Sequence, residues 1–156
     1  MPDRENKIIV DTSTLIALSK LKLLPILNVL YERVFITKAV RDEFREELPT
    51  WIKSVNIEND NLVAFFSDKL GYGESEIITA GIEKPCLLLV LDDLEARKTA
   101  KKLNLKFTGL LGILVKAKRS GKIDSLKEVL TKLESSDFRI SKKLIDEALE
   151  EVDEMA

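Results

Sequence analysis

The sequence predicts an α/β fold in which a central parallel sheet is covered by helices on both faces. The main observation is that short apolar segments alternate with longer segments of helical periodicity along the chain. The segment "CLLLVL" at 86–91 is apolar at every position, as expected of a strand buried on both faces. The 156 residues suit one domain, which we divide into a core at 7–123 and a helical extension at 124–156.

The first half of the chain contains signals for both strands and helices. The predicted strands are 7–10, 33–36 and 53–57, and helical or turn segments follow them at 14–21, 23–30, 37–48 and 60–68. Pro25 suits the first turn of its helix, because proline lacks the N–H that this turn cannot pair. Thr37 is a suitable N-cap for the next helix, which we expect to continue until Pro49.

The second half repeats the alternation. The predicted strands are 86–91 and 106–108, and the predicted helices are 73–84, 92–103, 110–121, 124–135 and 141–154. The helix at 92–103 has an acidic start and a basic end, which is the order that the helix dipole favours. Gly121 is a typical helix C-cap. Cys86, at the start of the longest apolar run, is expected to be a small buried residue.

Composition excludes several classes of active site. The chain has no histidine and one cysteine, which rules out serine–histidine and cysteine–histidine catalysis and histidine-bearing zinc sites. Hydrolytic chemistry would therefore depend on carboxylates, hydroxyls, lysines and a metal that prefers oxygen ligands. Mg²⁺ or Mn²⁺ fits these ligands.

Aspartates follow two of the predicted strands directly. Asp11 comes after the strand at 7–10, and Asp92 and Asp93 come after the strand at 86–91. Ligands of open parallel sheets bind beyond the carboxyl ends of the strands, so these acids are candidates for one site. Helix capping is the alternative role, and it explains one aspartate of the pair more readily than both.

Two glutamates are further candidates. Glu74 shares a helix face with Ile77 and Ile78, which should point towards the sheet. Glu43 lies beside the apolar stripe of the preceding helix. Ordinary alternatives are a first-turn acid that interacts with the helix dipole for Glu74 and a solvated helix acid for Glu43. Four converging carboxylates would repel one another, and a divalent cation would relieve that repulsion.

Positive charge is concentrated in the second half of the chain. Residues 94–127 contain ten Lys or Arg against two acidic residues, whereas the tail after Ser141 is acidic. This basic segment could hold the backbone of a nucleic acid next to the acidic site. Solvated helix ends that serve solubility are the alternative.

The motifs "IIVDTSTLIALSKL", "VRDEF", "GYGESEIITAG" and "LDDLEARKTAKKLNLKFTGLLGILVKAKRSG" together resemble a PIN domain. The resemblance is closest to a prokaryotic PIN-like branch and covers roughly residues 7–123. It implies a three-layer α/β/α sandwich and a Mg²⁺- or Mn²⁺-dependent ribonuclease site. By position, the acids of that site are Asp11, Glu43, Glu74 and Asp93, with Asp92 next to the last of them. Glu74 departs from the family pattern, because many PIN toxins carry aspartate there.

The resemblance also implies roles for the site residues. Asp11, Glu74, Asp92 and Asp93 are candidate metal ligands, and Ser13 lies where a small hydroxyl residue often approaches the metal-bound water. The candidate substrate-binding residues are Ser13, Arg97, Lys98, Lys116 and Arg119, with the basic side chains contacting phosphates.

The predicted function is therefore a divalent-metal-dependent endoribonuclease, either the toxin of a toxin–antitoxin pair or an RNA-processing enzyme. The alternative is a PIN-like module that binds RNA or protein with weak or no turnover. RNA is the expected partner, and an antitoxin protein and a second copy of the chain are further candidates. We expect a cytoplasmic protein without a membrane segment. Phosphoryl transfer through Asp11 is disfavoured, because Ser13 stands where such enzymes carry a second aspartate.

Overall fold

A parallel sheet forms the centre of the structure. The computed structural model describes residues 5–136 and 138–155. Within these ranges the strands are β1 (Glu5–Val10), β2 (Tyr31–Ile36), β3 (Ile52–Ser54), β4 (Leu88–Val90) and β5 (Phe107–Thr108). They pair in parallel in the order β3-β2-β1-β4-β5. The predicted parallel sheet is confirmed.

Helices connect the strands and cover the sheet. They are α1 (Thr12–Lys20), α2 (Ile26–Leu30), α3 (Lys38–Glu43), α4 (Asp60–Phe66), α5 (Tyr72–Glu83), α6 (Leu94–Lys102), α7 (Leu110–Arg119), α8 (Leu126–Glu134) and α9 (Lys142–Glu151). Helices α3, α4 and α6 contact α5, whereas α2, α8 and α9 contact α7. The fold is the predicted α/β/α sandwich. In the part of the chain that the structure describes, no helix is long and apolar enough to cross a membrane.

The strand order reverses between β1 and β4. Strands β2 and β3 lie on one side of β1, and β4 and β5 lie on its other side. Val10 is the register partner of Val90, so both strands end at the same level. Such a reversal leaves a crevice beyond the carboxyl ends of the two strands, which is where parallel sheets bind ligands.

The two strands at this crevice are anchored by burial. The side chains of Ile8, Ile9, Val10, Leu89 and Val90 have no exposed surface. Burying each large apolar side chain stabilises the fold by about 1.5–3 kcal/mol. Residues that directly follow these strands are therefore anchored to a rigid base.

Helix α3 is shorter than predicted. The periodicity indicated a helix up to Pro49, but α3 ends at Glu43, and Phe44 has an extended backbone with φ −84° and ψ 104°. This turn brings the Phe44 side chain into the core, where it is 5% exposed. Burial of one aromatic side chain thus outweighs the helix propensity of the charged residues that follow it.

The strand β4 is also shorter than the apolar run that predicted it. The run begins at Cys86, but the strand begins at Leu88, and the Cys86 side chain is exposed. The prediction of a buried cysteine is therefore wrong. At the end of α7, Gly121 adopts φ +72°, a left-handed conformation that favours glycine, as the predicted helix end requires.

Candidate active site

Asp11 lies at the end of β1 and is buried in the crevice. It is the N-cap of α1, and its Oδ1 accepts a hydrogen bond from the Thr14 N–H at 3.2 Å. Its Oδ2 accepts from the Ser13 hydroxyl at 3.3 Å and from the Asp92 N–H at 3.2 Å. Only 7% of Asp11 is exposed, so its carboxylate is fixed in position by protein donors rather than by water.

Asp92 brings a second carboxylate to the same place. Its Oδ2 accepts a hydrogen bond from the Thr14 hydroxyl at 3.0 Å, and its Oδ1 accepts from the Leu110 N–H at 3.2 Å. Thr14 is fully buried and thus bonds to both acids, with its N–H on Asp11 and its hydroxyl on Asp92. The two carboxylates are held as a pair by their shared neighbour.

Gly109 makes room for this arrangement at the start of α7. A Cβ at this position would lie 2.6 Å from Asp92 Oδ1 and 3.0 Å from Arg97 Nη2. A larger residue would therefore displace the carboxylate, the guanidinium or both. The glycine here is required by close approach rather than by backbone conformation, because its φ of −133° is open to any residue.

Asp93 faces away from the pair. It is the N-cap of α6, and its Oδ2 accepts from the Ala96 N–H at 2.9 Å. The motif comparison favoured Asp93 over Asp92, but the structure brings Asp92, not Asp93, to Asp11. The residue directly before Leu94 must cap the helix, which leaves its neighbour free to turn into the crevice.

The pairing of the two carboxylates changes the acidity of Asp11. Burial raises the pKa of Asp11 to about 6, and the negative charge of Asp92 acts in the same direction. Hydrogen bonds from Thr14 and from the Asp92 N–H oppose this rise. Desolvation and like charge disfavour the ionised form, so a cation beside the pair would be bound favourably.

Glu43 and Glu74 lie on the other side of Asp11. All three line a cavity of about 270 Å³ between α1, α3 and α5. Glu43 is exposed at the end of α3, and its Oε1 would lie 3.2 Å from a Cβ at Gly73. The half-buried Glu74 carboxylate lies over Gly71, at the start of its own helix. The structure thus brings these glutamates to the mouth of the crevice but not into the Asp11–Asp92 pair.

Sequence reasoning missed the buried role of Glu76. This residue is 8% exposed, and its Oε1 accepts from the Ala39 N–H at 3.2 Å, which joins α5 to the first turn of α3. Glu76 thereby positions the helix that carries Glu43. The available signal was that α5 has no other charged residue between Glu74 and Glu83, so its middle is buried all round.

A larger cavity of about 690 Å³ opens on the far side of Asp92. Of the predicted substrate-binding residues, Ser13, Arg97, Lys116 and Arg119 line it. The Lys116 ammonium also lies 4.6 Å from the centre of the Tyr31 ring. Lys98 is not part of its lining and instead pairs with Glu95 at 3.7 Å on an exposed helix face.

A family model for the PIN domain matches residues 7–154. The chain belongs to the PIN-domain family. The match includes α8 and α9, which follow the predicted core. A search of curated proteins and a search of solved structures returned no significant match. PIN domains are typically nucleases, and PIN-domain nucleases generally use divalent metals.

The acids of this PIN domain fit such a metal as a two-carboxylate site. Within the described residues, no three acidic, histidine or cysteine side chains lie close enough to hold one ion together. Asp11 and Asp92 nevertheless supply only oxygen ligands, and the pKa of Asp11 is raised first by burial and then by the charge of Asp92, so the ionised pair lacks a compensating positive charge. Mg²⁺ is commonly bound through one or two carboxylates while water fills its remaining positions.

Proposed function

We propose that this PIN domain is a divalent-metal-dependent endoribonuclease. The observation that carries the proposal is the Asp11–Asp92 pair, held by shared hydrogen bonds at the reversal of strand order. It supports a site that concentrates negative charge at one point of a rigid sheet edge. The neighbouring cavity with its basic side chains supports a polyanionic substrate.

Each residue has a role in this proposal. Asp11 and Asp92 would hold Mg²⁺ or Mn²⁺, which when bound polarises the phosphodiester and activates water. Glu43 and Glu74, across the small cavity from the pair, would orient the attacking water and accept its proton. The Ser13 hydroxyl, which donates to Asp11 Oδ2 and lies on an exposed residue, would transfer this hydrogen bond to a phosphate oxygen of the substrate. Arg97 would hold the adjacent phosphate, because its guanidinium lies against Gly109 next to Asp92.

The direct test compares neighbouring aspartates. Asp11→Asn and Asp92→Asn should each abolish Mn²⁺ binding, measured by calorimetry, and lower cleavage of an unstructured RNA by on the order of 100-fold or more. Asp93→Asn should keep both properties, because asparagine also caps helices well. The proposal fails if wild-type protein binds neither Mg²⁺ nor Mn²⁺ at millimolar concentration, or if Asp92→Asn cleaves like the wild type.

One observation favours a second candidate function. Since the described acids form a pair rather than a cluster of three, the domain would be a binding module with weak or no turnover if the glutamates do not close on the pair. RNA binding without metal-dependent cleavage, in the same assay, would support this module.

The cellular setting of the nuclease belongs to the proposal as well. We propose RNA as its main partner, with an antitoxin protein if it acts as a toxin. Co-purification of the untagged neighbour in the operon with the tagged chain would identify an antitoxin. Light scattering of the purified chain would distinguish a monomer from a homodimer.

A further inference from the structure

Two glycines flank Tyr72 at the start of α5, and each lies against a glutamate carboxylate. A Cβ at Gly73 would lie 3.2 Å from Glu43 Oε1, and among the described residues it would meet no other heavy atom within 4 Å beyond its chain neighbours and the backbone of its own helix. A Cβ at Gly71 would collide with Glu74 Oε2 and lie 3.3 Å from Glu74 Cδ. At each glycine, a carboxylate therefore takes the space that a side chain would need.

Backbone conformation does not explain why residue 73 is a glycine. Gly73 lies in the first turn of α5, and among the described glycines only Gly121 has a positive φ. Alanine is favoured over glycine in a helix, because glycine loses more conformational freedom on folding. Core packing explains Gly81 in the same helix, where a Cβ would lie 2.9 Å from Leu89 Cδ1, but a Cβ at Gly73 would meet only the Glu43 carboxylate.

The start of α5 also attracts negative charge. The first N–H groups of a helix have no partner within the helix, and they form the positive end of the helix dipole. The N-cap of α5 is Gly71, which has no side chain that could accept from these N–H groups. Attraction to this helix start therefore offsets part of the repulsion between the Glu43 and Glu74 carboxylates, which lie against its two glycines.

Helix α3 is anchored so that Glu43 reaches Gly73. Glu76 of α5 is buried, and its Oε1 accepts a hydrogen bond from the Ala39 N–H in the first turn of α3 at 3.2 Å. Helix α3 has only 6 residues and ends at Glu43, so a bond at its start also limits where its last residue lies. The approach of Glu43 to Gly73 is thus set by the packing of α3 on α5.

We propose that Gly71 and Gly73 are positioning residues for the reaction, and that together they form a seat for the carboxylates of Glu74 and Glu43. Gly73 and both glutamates line the small cavity together with Asp11. The inference rests on the proposed function, in which the two glutamates orient the attacking water and accept its proton. It adds that the absence of a side chain at two positions determines where these carboxylates lie, at a cost in helix stability.

Single variants of the full chain separate activity from stability. Gly73→Ala should raise Tm by about 1–4 °C, because alanine is the better helix former and the exposed Glu43 can move aside. It should lower kcat on an unstructured RNA on the order of 10-fold, because misplacing a reacting group by about 1 Å costs up to about 100-fold. Mn²⁺ affinity should not change, because Asp11 and Asp92 hold the ion in the proposed function.

Two further variants calibrate this result. Gly71→Ala should lower kcat more than Gly73→Ala does, because its Cβ would collide with the Glu74 carboxylate. Gly81→Ala is the matched control, since it makes the same change in the same helix. It should lower Tm, because its Cβ would meet Leu89, and it should leave the kcat of the folded protein unchanged.

A double-mutant cycle identifies the carboxylate through which each glycine acts. In a Glu43→Ala background, Gly73→Ala should cause no further loss of kcat, whereas Gly71→Ala should still lower it. In a Glu74→Ala background, Gly71→Ala should cause no further loss and Gly73→Ala should still lower kcat. The crossed pairs are the controls, because changes that act through different partners combine without coupling.

Three results would overturn the inference. They are a wild-type kcat for Gly73→Ala, an equal loss of kcat from Gly73→Ala with and without Glu43, and failure of Gly73→Ala to fold, which would show that its Cβ meets more than a mobile carboxylate. Failure of the proposed function would look different, because the wild type would then show no Mn²⁺-dependent cleavage.

In that case the seat is tested by the same cycle measured as Tm. Gly73→Ala should raise the Tm of Glu43→Ala more than that of the wild type, because the carboxylate that the new Cβ displaces is gone. An equal rise in both backgrounds would show that Gly73 and Glu43 do not interact, and the seat would be rejected independently of any nuclease activity.

Discussion

Thr14 is the residue on which the geometry of the acidic pair depends most directly. Its N–H bonds to Asp11 and its hydroxyl bonds to Asp92, and the side chain is fully buried. A neutral donor shared by two carboxylates orients both without neutralising either of them. Nothing in the sequence distinguishes Thr14 from the other small polar residues of "DTST", because its role appears only once β4 lies beside β1.

Replacing Thr14 tests this role. Thr14→Val keeps the shape of the side chain and should lower Mn²⁺ affinity or kcat by about 10- to 100-fold, the usual effect of removing a group that orients a metal ligand. Thr14→Ser should restore both. Thr79→Val is the matched control, because Thr79 is equally buried but bonds to the Ser75 carbonyl within α5. Equal losses in the Thr14 and Thr79 variants would indicate a general packing effect.

The raised pKa of Asp11 predicts how stability depends on pH. The pKa lies at about 6 in the folded protein and near 3.8 in the absence of the fold. The folded state therefore binds the proton more tightly than the unfolded state. The contribution of Asp11 to the free energy of unfolding is fully present below about pH 4, and it is lost as the pH rises through about 6. The loss should be on the order of 2–3 kcal/mol.

Denaturant unfolding of the metal-free protein between pH 4 and pH 7.5 would measure this loss. Asp11→Asn should remove most of the change in unfolding free energy over this range and should be more stable than the wild type at pH 7.5. Added Mn²⁺ should stabilise the wild type at pH 7.5 and not the variant. The same pH dependence in both proteins would assign the effect to other groups.

At the scale of whole elements, capping contacts hold the helices that surround the site. Glu154, which follows α9, accepts hydrogen bonds from the N–H groups of Leu126 and Lys127 and from the Ser125 hydroxyl. Burial alone would raise the pKa of Glu154, but these donors and Lys118 outweigh burial and hold its pKa below the ordinary value. One carboxylate thereby fastens the end of the chain to the start of α8.

Glu154→Ala should therefore loosen the contact between α8 and the end of the chain. We expect a lower free energy of unfolding, because the N–H groups of Leu126 and Lys127 and the Ser125 hydroxyl lose their charged acceptor. The contribution is present above pH 4.5, the ordinary pKa of glutamate, and is lost as the pH falls through the lowered pKa. Hydrogen exchange should report faster opening of α8 and α9, while α5 exchanges as in the wild type. Uniform exchange changes in all helices would contradict a local role.

At the scale of the whole molecule, the sheet was the most predictable feature. Apolar runs identified the strands, and the alternation with helices identified a parallel sheet, because both signals are local. The end of α3 was not predictable, since it depends on the burial of Phe44 in a core built by distant residues. Cys86 was misassigned because an apolar run does not show where its strand begins.

The candidate site was predictable in part. Asp11 and the pair Asp92 and Asp93 follow strands, so their meeting could be expected, but the choice between neighbours depends on which one caps α6. Arg97 and Lys98 are neighbours in the sequence, and both were candidate substrate-binding residues. Only Arg97 lines the cavity, because the packing of α6 against the sheet decides which of the two side chains faces it. Sequence patterns identify the segment that supplies a residue, and tertiary packing selects the residue.

The distribution of charge predicts a salt dependence for the whole domain. If Arg97, Arg119 and Arg139, which line the large cavity, contact phosphates, the logarithm of RNA affinity should fall with the logarithm of salt concentration with a slope of about −2. Arg97→Gln should make the slope shallower by about 0.7. Lys53→Gln, on the edge strand β3, should leave it unchanged. Fluorescence anisotropy in EDTA from 50 to 300 mM salt, roughly the range over which such slopes are read, would measure it.

The route of the chain through the sheet has a consequence for biosynthesis. The Asp92 N–H that bonds to Asp11 lies 81 residues further along the chain, so β1 must wait for β4 before the crevice exists. A ribosome must add the 81 residues from Asp11 to Asp92 before the two acids can meet. If the domain cleaves RNA as proposed, a nascent chain that has not yet added β4 would lack the acidic pair and could not cut the transcript from which it is being made.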